Sequence, residues 1–489
     1  MYRQSPTQAN CMRRRAGELL WHRRSDNCAM KIAFVFPPMW TPHSDGSLQI
    51  WNREVTTRLA RCCDVLVYSA LFSFLPDDRV DGVRYRRFDT HWDSRLLKYL
   101  RIVRRALAIR GATFGSDLWW PGYALRVALD LRHQDCDVIH CYYYPQFARL
   151  IKYFNPATPV VLHMHGEWLT QVKFTNLRSR LAKIDSIISC SEYCTKSICT
   201  MFPEVASRCR TVAMGMSPEK LARTHERLQQ VDLPPRRLLY VGRISPEKGV
   251  HVLIDAFEII SRQYPDASLT IVGAEWVAPR EDITDLSLKS DAIASLIPYY
   301  EGSYLAHLKR KLSVDAAKRV TFTGLVAHQD VPLFYGQADV YINPSYYESF
   351  GVSIVEAMAA GVPVVAANGG AVSDLVLDGQ TGLLVEAGNP SAMADAVMRL
   401  FRDVELRRSI SSVAREMVAE RYSWEAICSS LMTSYRDALG VPDHQEERWP
   451  GTMCLSSRDL ATLSVGEIEG NSSRSPERQD QCHARRRDA

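Results

Sequence analysis

In the stretch PSYYESFGVSIVE (344–356), Glu348 and Glu356 bracket an aromatic, a glycine and an apolar run, with Phe350 and Gly351 between them. A helix that only packs needs neither carboxylate, and a glycine there lets a ligand come close to the backbone. Upstream, YVGRISPEKG (240–249) places Arg243 and Lys248 between Gly242 and Gly249. Two cations at the end of a strand and the start of a helix make an anion site, most naturally for a phosphate or diphosphate. The N–H groups of Phe350, Gly351 and Val352 open the next helix without helical acceptors, so they can hold phosphate oxygens. Glu356, a turn into that helix, can accept hydrogen bonds from vicinal hydroxyls such as those of a ribose. Glu348, in the loop, sits nearer the other end of the same ligand. The plainer alternative is a set of solvated surface charges, and the flanking glycines count against it.

The elements that must position these residues follow from short apolar runs. KIAFVF (31–36), DVLVYS (64–69), DVIHCY (137–142), PVVLHMHG (159–166) and DSIISCS (185–191) read as buried strands alternating with helices. That pattern predicts a parallel sheet covered on both faces. A second series follows: RLLYVG (237–242), SLTIVG (268–273), RVTFTG (319–324), DVYINPS (339–345), PVVAAN (363–368) and GLLVE (382–386). The fold class is therefore α/β, with two doubly wound, Rossmann-like parallel-sheet domains. The expected division is a basic, disordered extension over 1–29, a first domain over 30–220 and a polar linker over 221–236. A second domain follows over 237–420, and a polar, disordered tail occupies 441–489. Ligands in such sheets bind beyond the carboxyl ends of the strands, so Gly242, Gly273, Gly324 and Ser345 mark one rim. In YVGRISPEKGVHVLIDAF (240–257), Val250, Leu253, Ile254 and Phe257 lie on one face of the helix after Lys248.

Composition narrows the class. The 489 residues carry a net charge of only +5, too small for a dedicated nucleic-acid binder. Thirteen scattered cysteines include no pair of C-x-x-C units, which argues against zinc and fits a reduced, cytoplasmic setting. The first 29 residues are Arg-rich without an apolar core segment, so they do not read as a secretory signal, and Met30 is a candidate start. Neither G-x-x-x-x-G-K-[ST] nor G-x-G-x-x-G is present in the Arg243 loop, so a nucleoside triphosphatase or nicotinamide enzyme lacks support. Asp135 and Asp137 form a D-x-D, but at the start of a strand. His163 and His165 form an H-x-H at a strand end, the one feature that favours a metal-dependent hydrolase, yet the other strand ends supply Gly, Ser and Asn.

The motifs together resemble a known family. E-x7-E enclosing F-G, preceded by P-S and followed by EAMAAGVPVV (356–365), resembles the retaining glycosyltransferases of family 4, which have the GT-B fold. GRISPEKG (242–249) and NGGAVSDLVLDGQTGLLVEAGNP (368–390) match further family segments. RYSWEAICSSLMTSY (421–435) resembles the closing helix, over 421–440, that returns to the first domain. The resemblance spans roughly Lys31 to Leu439 and is most specific in the second domain. It implies that Arg243 and Lys248 bind the donor diphosphate, with Gly242 and the amides of Phe350, Gly351 and Val352. It also implies that Glu356 holds the ribose and Glu348 contacts the transferred sugar. Gly46 would lie near the donor phosphates and His165 near the sugar. Departures are Ser47 where a second glycine is common, Met214-Gly215 where Asn-Gly is common, and Asp374 in place of a glutamate.

The activity implied is metal-independent, retaining transfer of a sugar from a nucleoside diphosphate, with UDP the commoner base, to a glycan or lipid-linked acceptor. That role suits polysaccharide or cell-envelope synthesis, and no cofactor is implied. A sugar-nucleotide epimerase can share the architecture but not the E-x7-E pattern. A non-catalytic sugar-nucleotide-binding protein is the alternative of another class. RLLKYLRIVRRALAIR (95–110) sets Leu96, Leu97, Leu100, Val103 and Leu107 against Arg95, Lys98, Arg101, Arg104, Arg105 and Arg110. Such a helix either packs with a solvated face or lies on anionic lipid, which would place the protein peripherally at the inner membrane face. The aromatics of WWPGY (119–123) and CYYYPQF (141–147) could stack on sugars or fill the core.

Overall fold

A computed structural model describes residues 30–38, 46–71, 79–106, 115–171, 176–217, 221, 236–277 and 295–441. The extension at 1–29, most of the linker, Leu107 to Arg110 and the tail from 442 lie outside the described residues.

Two sheets form two lobes. The first contains β1 (Lys31–Val35), β2 (Asp64–Ala70), β3 (Arg79–Val80), β4 (Val83–Phe88), β5 (Val138–Tyr142), β6 (Val160–Met164), β7 (Ser186–Ser189) and β8 (Cys209–Thr211). Their order is β3-β4-β2-β1-β5-β6-β7-β8, and every pairing is parallel except β3 with β4. The second contains β9 (Arg237–Val241), β10 (Ser268–Val272), β11 (Val320–Gly324), β12 (Val340–Asn343), β13 (Val364–Ala367) and β14 (Leu383–Val385), in the order β11-β10-β9-β12-β13-β14. Each sheet winds outward in both directions, from β1 and β5 in the first and from β9 and β12 in the second. At those junctions the connections leave toward opposite edges, and a crevice opens at the carboxyl ends of the strands.

The apolar runs became central strands because both faces are covered. β1, β5 and β6 are buried along nearly their whole length. The strands not foreseen are β3, β4 and β8. β4 reads VRYRRF, burying Val83 and Tyr85 on one face and showing arginines on the other, so it lacks an apolar run. β3 and β8 are too short to carry a pattern.

The chain closes on itself at its carboxyl end. Helix Val404–Arg421 packs on helix Val352–Ala359 in the second lobe. Helix Trp424–Leu439 starts afresh because Ser423 caps it, its Oγ accepting the Ala426 N–H at 3.3 Å. This helix lies against the first lobe, and the Tyr435 hydroxyl meets His140 Nδ1 at 2.9 Å. Glu425 pairs with Arg58 at 3.3 Å and Asp437 with Arg210 at 2.9 Å.

Helix His91–Ala106 buries Leu97, partly covers Leu96, Leu100 and Val103, and packs on helix Pro121–Leu131. Its outer face shows Trp92, Arg95, Lys98, Tyr99 and Ile102 to solvent. No helix among the described residues is long and apolar enough to cross a membrane.

Candidate functional site

A cleft of about 890 Å³ lies between the lobes and draws its walls from both. On the second-lobe side, β9 delivers Gly242 and Arg243, and β12 delivers Asn343 and the loop to Glu348. Two glycine contacts hold these loops together. Gly249 adopts φ +66°, and a Cβ there would lie 2.0 Å from the Pro344 carbonyl oxygen, so only glycine lets the Lys248 turn rest on the β12 loop. Gly370 adopts φ +64°, and a Cβ there would stand 2.3 Å from the Glu348 carbonyl oxygen. The Tyr346 N–H donates to Glu247 O at 3.0 Å, and the Ala371 N–H donates to Glu348 O at 2.8 Å.

The charged groups of this wall are held in pairs. Lys248 Nζ donates to Glu348 Oε1 at 2.6 Å, and the same oxygen accepts from Ser345 Oγ at 2.8 Å. Burial opposes ionisation of Glu348, but Lys248, Ser345 and Asn343 outweigh it and hold the carboxyl below its usual value. Arg243 sits 3.4 Å from Glu247 and stacks its guanidinium 4.7 Å above the Trp276 ring. Glu247 is itself tied by Ser245 Oγ at 2.6 Å and the Tyr300 hydroxyl at 3.0 Å. Glu356 projects from helix Val352–Ala359 into the cleft and accepts from the Tyr335 hydroxyl at 2.9 Å. Burial raises its pKa to about 7, although the Tyr335 hydroxyl opposes the shift.

Gly351 caps that helix at φ +105°, a conformation side chains resist. Among the described residues, nothing accepts from the N–H groups of Phe350, Gly351 or Val352. All three residues line the cleft.

The first-lobe wall is aromatic around His165, with Tyr143 and Trp168 beside it, while Arg53 and Glu54 line it farther along. His165 lines the cleft with its Nδ1 3.2 Å from the Met214 sulfur. Its ring stacks on His163 at 3.9 Å and meets Trp51 edge-on at 4.9 Å. Burial lowers its pKa to about 3. His163 and His140 lie deeper, joined at 3.2 Å, and burial lowers both pKa values well below the ordinary one.

The structure thus brings Arg243, Lys248, Glu348, Glu356, Gly242, His165 and the 350–352 amides to one cleft. Gly46 caps helix Ser47–Leu59, whose first residues Ser47 and Leu48 line the same cleft. One feature differs from the expectation. Lys248 and Glu348, assigned to the diphosphate and to the transferred sugar, bond to each other because the Gly249–Pro344 contact sets their loops face to face. Sequence reasoning placed Ser345 on the rim but gave it no role, passed over Asn343, and missed Tyr335 and Tyr300, whose partners lie farther along the chain. The N-G-G at 368–370 was a visible signal for the backbone clamp on Glu348.

The aromatic clusters divide. Trp119, Tyr123, Tyr142, Tyr144 and Phe147 are buried in the first-lobe core, while Tyr143, at φ +59°, lines the cleft beside Trp168. Asp137 accepts the Lys31 backbone N–H at 2.7 Å at the amino ends of β1 and β5, the rim opposite the cleft. Among the described residues, no group of three His, Cys, Asp or Glu side chains is arranged to hold a metal ion.

Comparison with known proteins agrees with this arrangement. The family description "Glycosyl transferases group 1" matches residues 224–417, and "Glycosyltransferase Family 4" matches residues 49–220. The putative glycosyltransferase YtcC of Bacillus subtilis is 27% identical over 357 residues, covering 70% of this chain and 82% of that protein. Sucrose-phosphate synthase from Thermosynechococcus elongatus superposes with a TM-score of 0.59 at 21% identity, covering 84% of this chain and 100% of the other. HepE from Anabaena, solved in complex with UDP, gives a TM-score of 0.58 at 17% identity over 83% of this chain and 100% of its own. At such identities the structural likeness is one of fold.

Proposed function

The chain belongs to glycosyltransferase family 4 and has the GT-B fold, and on that premise we propose that it transfers a sugar from a nucleoside diphosphate to a glycan or lipid-linked acceptor, with retention and without a metal. The observation that carries this reading is the convergence of Arg243, Lys248 and the acceptor-less amides of Phe350, Gly351 and Val352 on one wall of the cleft. That wall suits a diphosphate. Glu356 suits the ribose hydroxyls, and Glu348 and His165 suit the sugar between the lobes. UDP is the favoured base, in keeping with the UDP bound by HepE.

Breaking the bond from the sugar's anomeric carbon to the diphosphate oxygen builds negative charge on the leaving group and positive character on the sugar. Arg243, Lys248 and the aimed amides stabilise that charge more in the transition state than in the ground state. Lys248 then shifts part of its bonding from Glu348 to the diphosphate, which leaves the carboxylate facing the cationic sugar. The acceptor oxygen bonds to the same face of that carbon, and its proton passes to a donor phosphate oxygen. The test is nucleotide release from UDP-, GDP- and ADP-sugars, with and without EDTA, for wild type and Glu348→Gln. Release that survives EDTA and falls by about two decades in the variant supports the reading. Release abolished by EDTA sinks metal independence. Nucleotide binding with no turnover, with or without candidate acceptors, points to the binding-protein alternative.

A membrane-borne acceptor is favoured by the outer face of helix His91–Ala106. Trp92, Tyr99 and Ile102 are exposed there among Arg95 and Lys98, the mixture that suits the interface of an anionic bilayer. Sedimentation with phosphatidylglycerol vesicles tests it. Equal binding by wild type and Trp92→Ala/Tyr99→Ala would remove this surface from the account.

A further inference from the structure

The Ser349 carbonyl oxygen, in the second-lobe loop, is gripped by the first lobe. It accepts from Ser191 Oγ at 2.7 Å, and the thiols of Cys194 and Cys190 lie at 3.4 and 3.5 Å. These residues lie at the end of β7 and the start of helix Glu192–Met201. The contact continues alongside, where the Tyr193 N–H donates to Asp374 Oδ2 at 2.8 Å. Ser191 Oγ also accepts the Cys194 N–H at 3.2 Å as the helix cap, so its single hydrogen is free to go to Ser349.

A trans peptide is planar, with its C=O and N–H pointing in opposite directions. Drawing the Ser349 oxygen toward the first lobe therefore turns the Phe350 N–H the other way. Cys190 and Ser191 line a separate cavity of about 270 Å³ that Phe350 also lines. Ser349, Phe350 and Gly351 line the large cleft, which Cys190 and Ser191 do not. The Phe350 N–H has no acceptor among the described residues, as expected of a donor reserved for a ligand.

We infer that Ser191 is a positioning residue: from the first lobe, its hydroxyl locks the Ser349–Phe350 peptide so that the Phe350 amide faces the donor diphosphate. This rests on the donor site proposed above. It makes one oxyanion donor of the second lobe depend on contact with the first, so the donor is complete only while the lobes touch.

The test uses Ser191→Ala, Ser191→Asp and Ser191→Thr in the full chain. Asp keeps the helix cap as an acceptor but cannot donate to Ser349, and Thr keeps both functions. Nucleotide release is measured with the sugar donor the wild type uses, beside thermal unfolding. In parallel, the amide signals of ¹⁵N-phenylalanine-labelled protein are followed as UDP, GDP or ADP is added, with Phe350 assigned from Phe350→Tyr. The expected result is a kcat lower by about tenfold or more in Ala and Asp, with Thr close to wild type. Asp should lose the nucleotide-induced shift of Phe350 and melt lower than wild type, because its carboxylate would be buried against the Ser349 carbonyl, and Thr should keep both the shift and the melting temperature. If Asp shows wild-type kcat and the same Phe350 shift, this inference is overturned while the donor site stands. A wild type that binds none of the three diphosphates overturns both.

Discussion

The second-lobe wall of the cleft pairs its cations with carboxylates, Lys248 with Glu348 and Arg243 with Glu247. The first-lobe wall surrounds His165, His163 and His140 with Trp51, Tyr142 and Met214, and burial leaves all three imidazoles neutral. The Lys248–Glu348 pair and the three histidines are all largely desolvated, and they meet that cost differently. A buried charge survives where a partner and hydrogen bonds offset desolvation; otherwise the group is neutralised, a histidine by losing its proton and a carboxyl such as Glu356 by keeping one. The contrast places fixed charge where a diphosphate would build it. In the proposed site it would leave the neutral His165 beside the sugar, where a fixed imidazolium would oppose an oxocarbenium centre.

The largest expected effect comes from breaking the central pair. Lys248→Met strands the Glu348 carboxylate, so stability should fall by about 3 kcal/mol in urea unfolding and activity by two decades or more. Adding Glu348→Gln should recover most of the stability and none of the activity. Recovery of both would mean that the pair only holds the loops together.

Gly249→Ala tests the loop contact beneath that pair. With φ at +66° and a backbone oxygen 2.0 Å from the new Cβ, the Lys248 turn must move away from Pro344. We expect a loss of about 1–3 kcal/mol together with weaker nucleotide binding by calorimetry. Unchanged nucleotide affinity would show that the register of the two loops does not matter.

A pH titration sharpens the contrast further. Glu356 is raised from an ordinary 4.5 to about 7 by burial. Between those values the folded protein holds a proton that the unfolded chain has released. This contribution to stability is complete below pH 4.5, declines as pH rises toward 7 and is gone above it. Binding of ribose hydroxyls should run the other way, strengthening as the carboxylate ionises between about pH 6 and 8. Glu356→Gln should flatten both profiles, measured by melting temperature and by calorimetry with UDP.

His165 should have the smallest effect. His165→Ala should reduce kcat about fivefold, the worth of one hydrogen bond to the sugar. With a pKa near 3, its ring should show no titration between pH 5 and 8 in ¹⁵N spectra, and a midpoint near 6.5 would refute the neutral imidazole.

Much of this site was legible beforehand. Arg243, Lys248, Glu348 and Glu356 were identifiable because strand ends, glycines and a helix start lie next to them in the chain. The partners that tune them were not. Tyr335 reaches Glu356, Tyr300 reaches Glu247, and Ser191 reaches Ser349 across long stretches of sequence. Nothing local in a lone tyrosine or serine distinguishes such a partner from a surface residue. Strand β4 escaped for a related reason, since its half-exposed positions beside the edge strand do not select an apolar run.

The amino-acid sequence alone determined the alternation of buried strands and helices, the two-lobed α/β class and the motif residues at the strand ends. These depend on periodicity, backbone restriction at glycine and proline, and burial, all of which act over a few residues. The tertiary structure alone decided that Lys248 faces Glu348 and that His165 stacks on His163, which meets His140 edge-on behind it. It alone decided that a first-lobe serine holds a second-lobe peptide. Hydrogen-bond direction, pairing and desolvation are set by which side chains from distant segments meet, and that is fixed only when both sheets and the returning helix are in place.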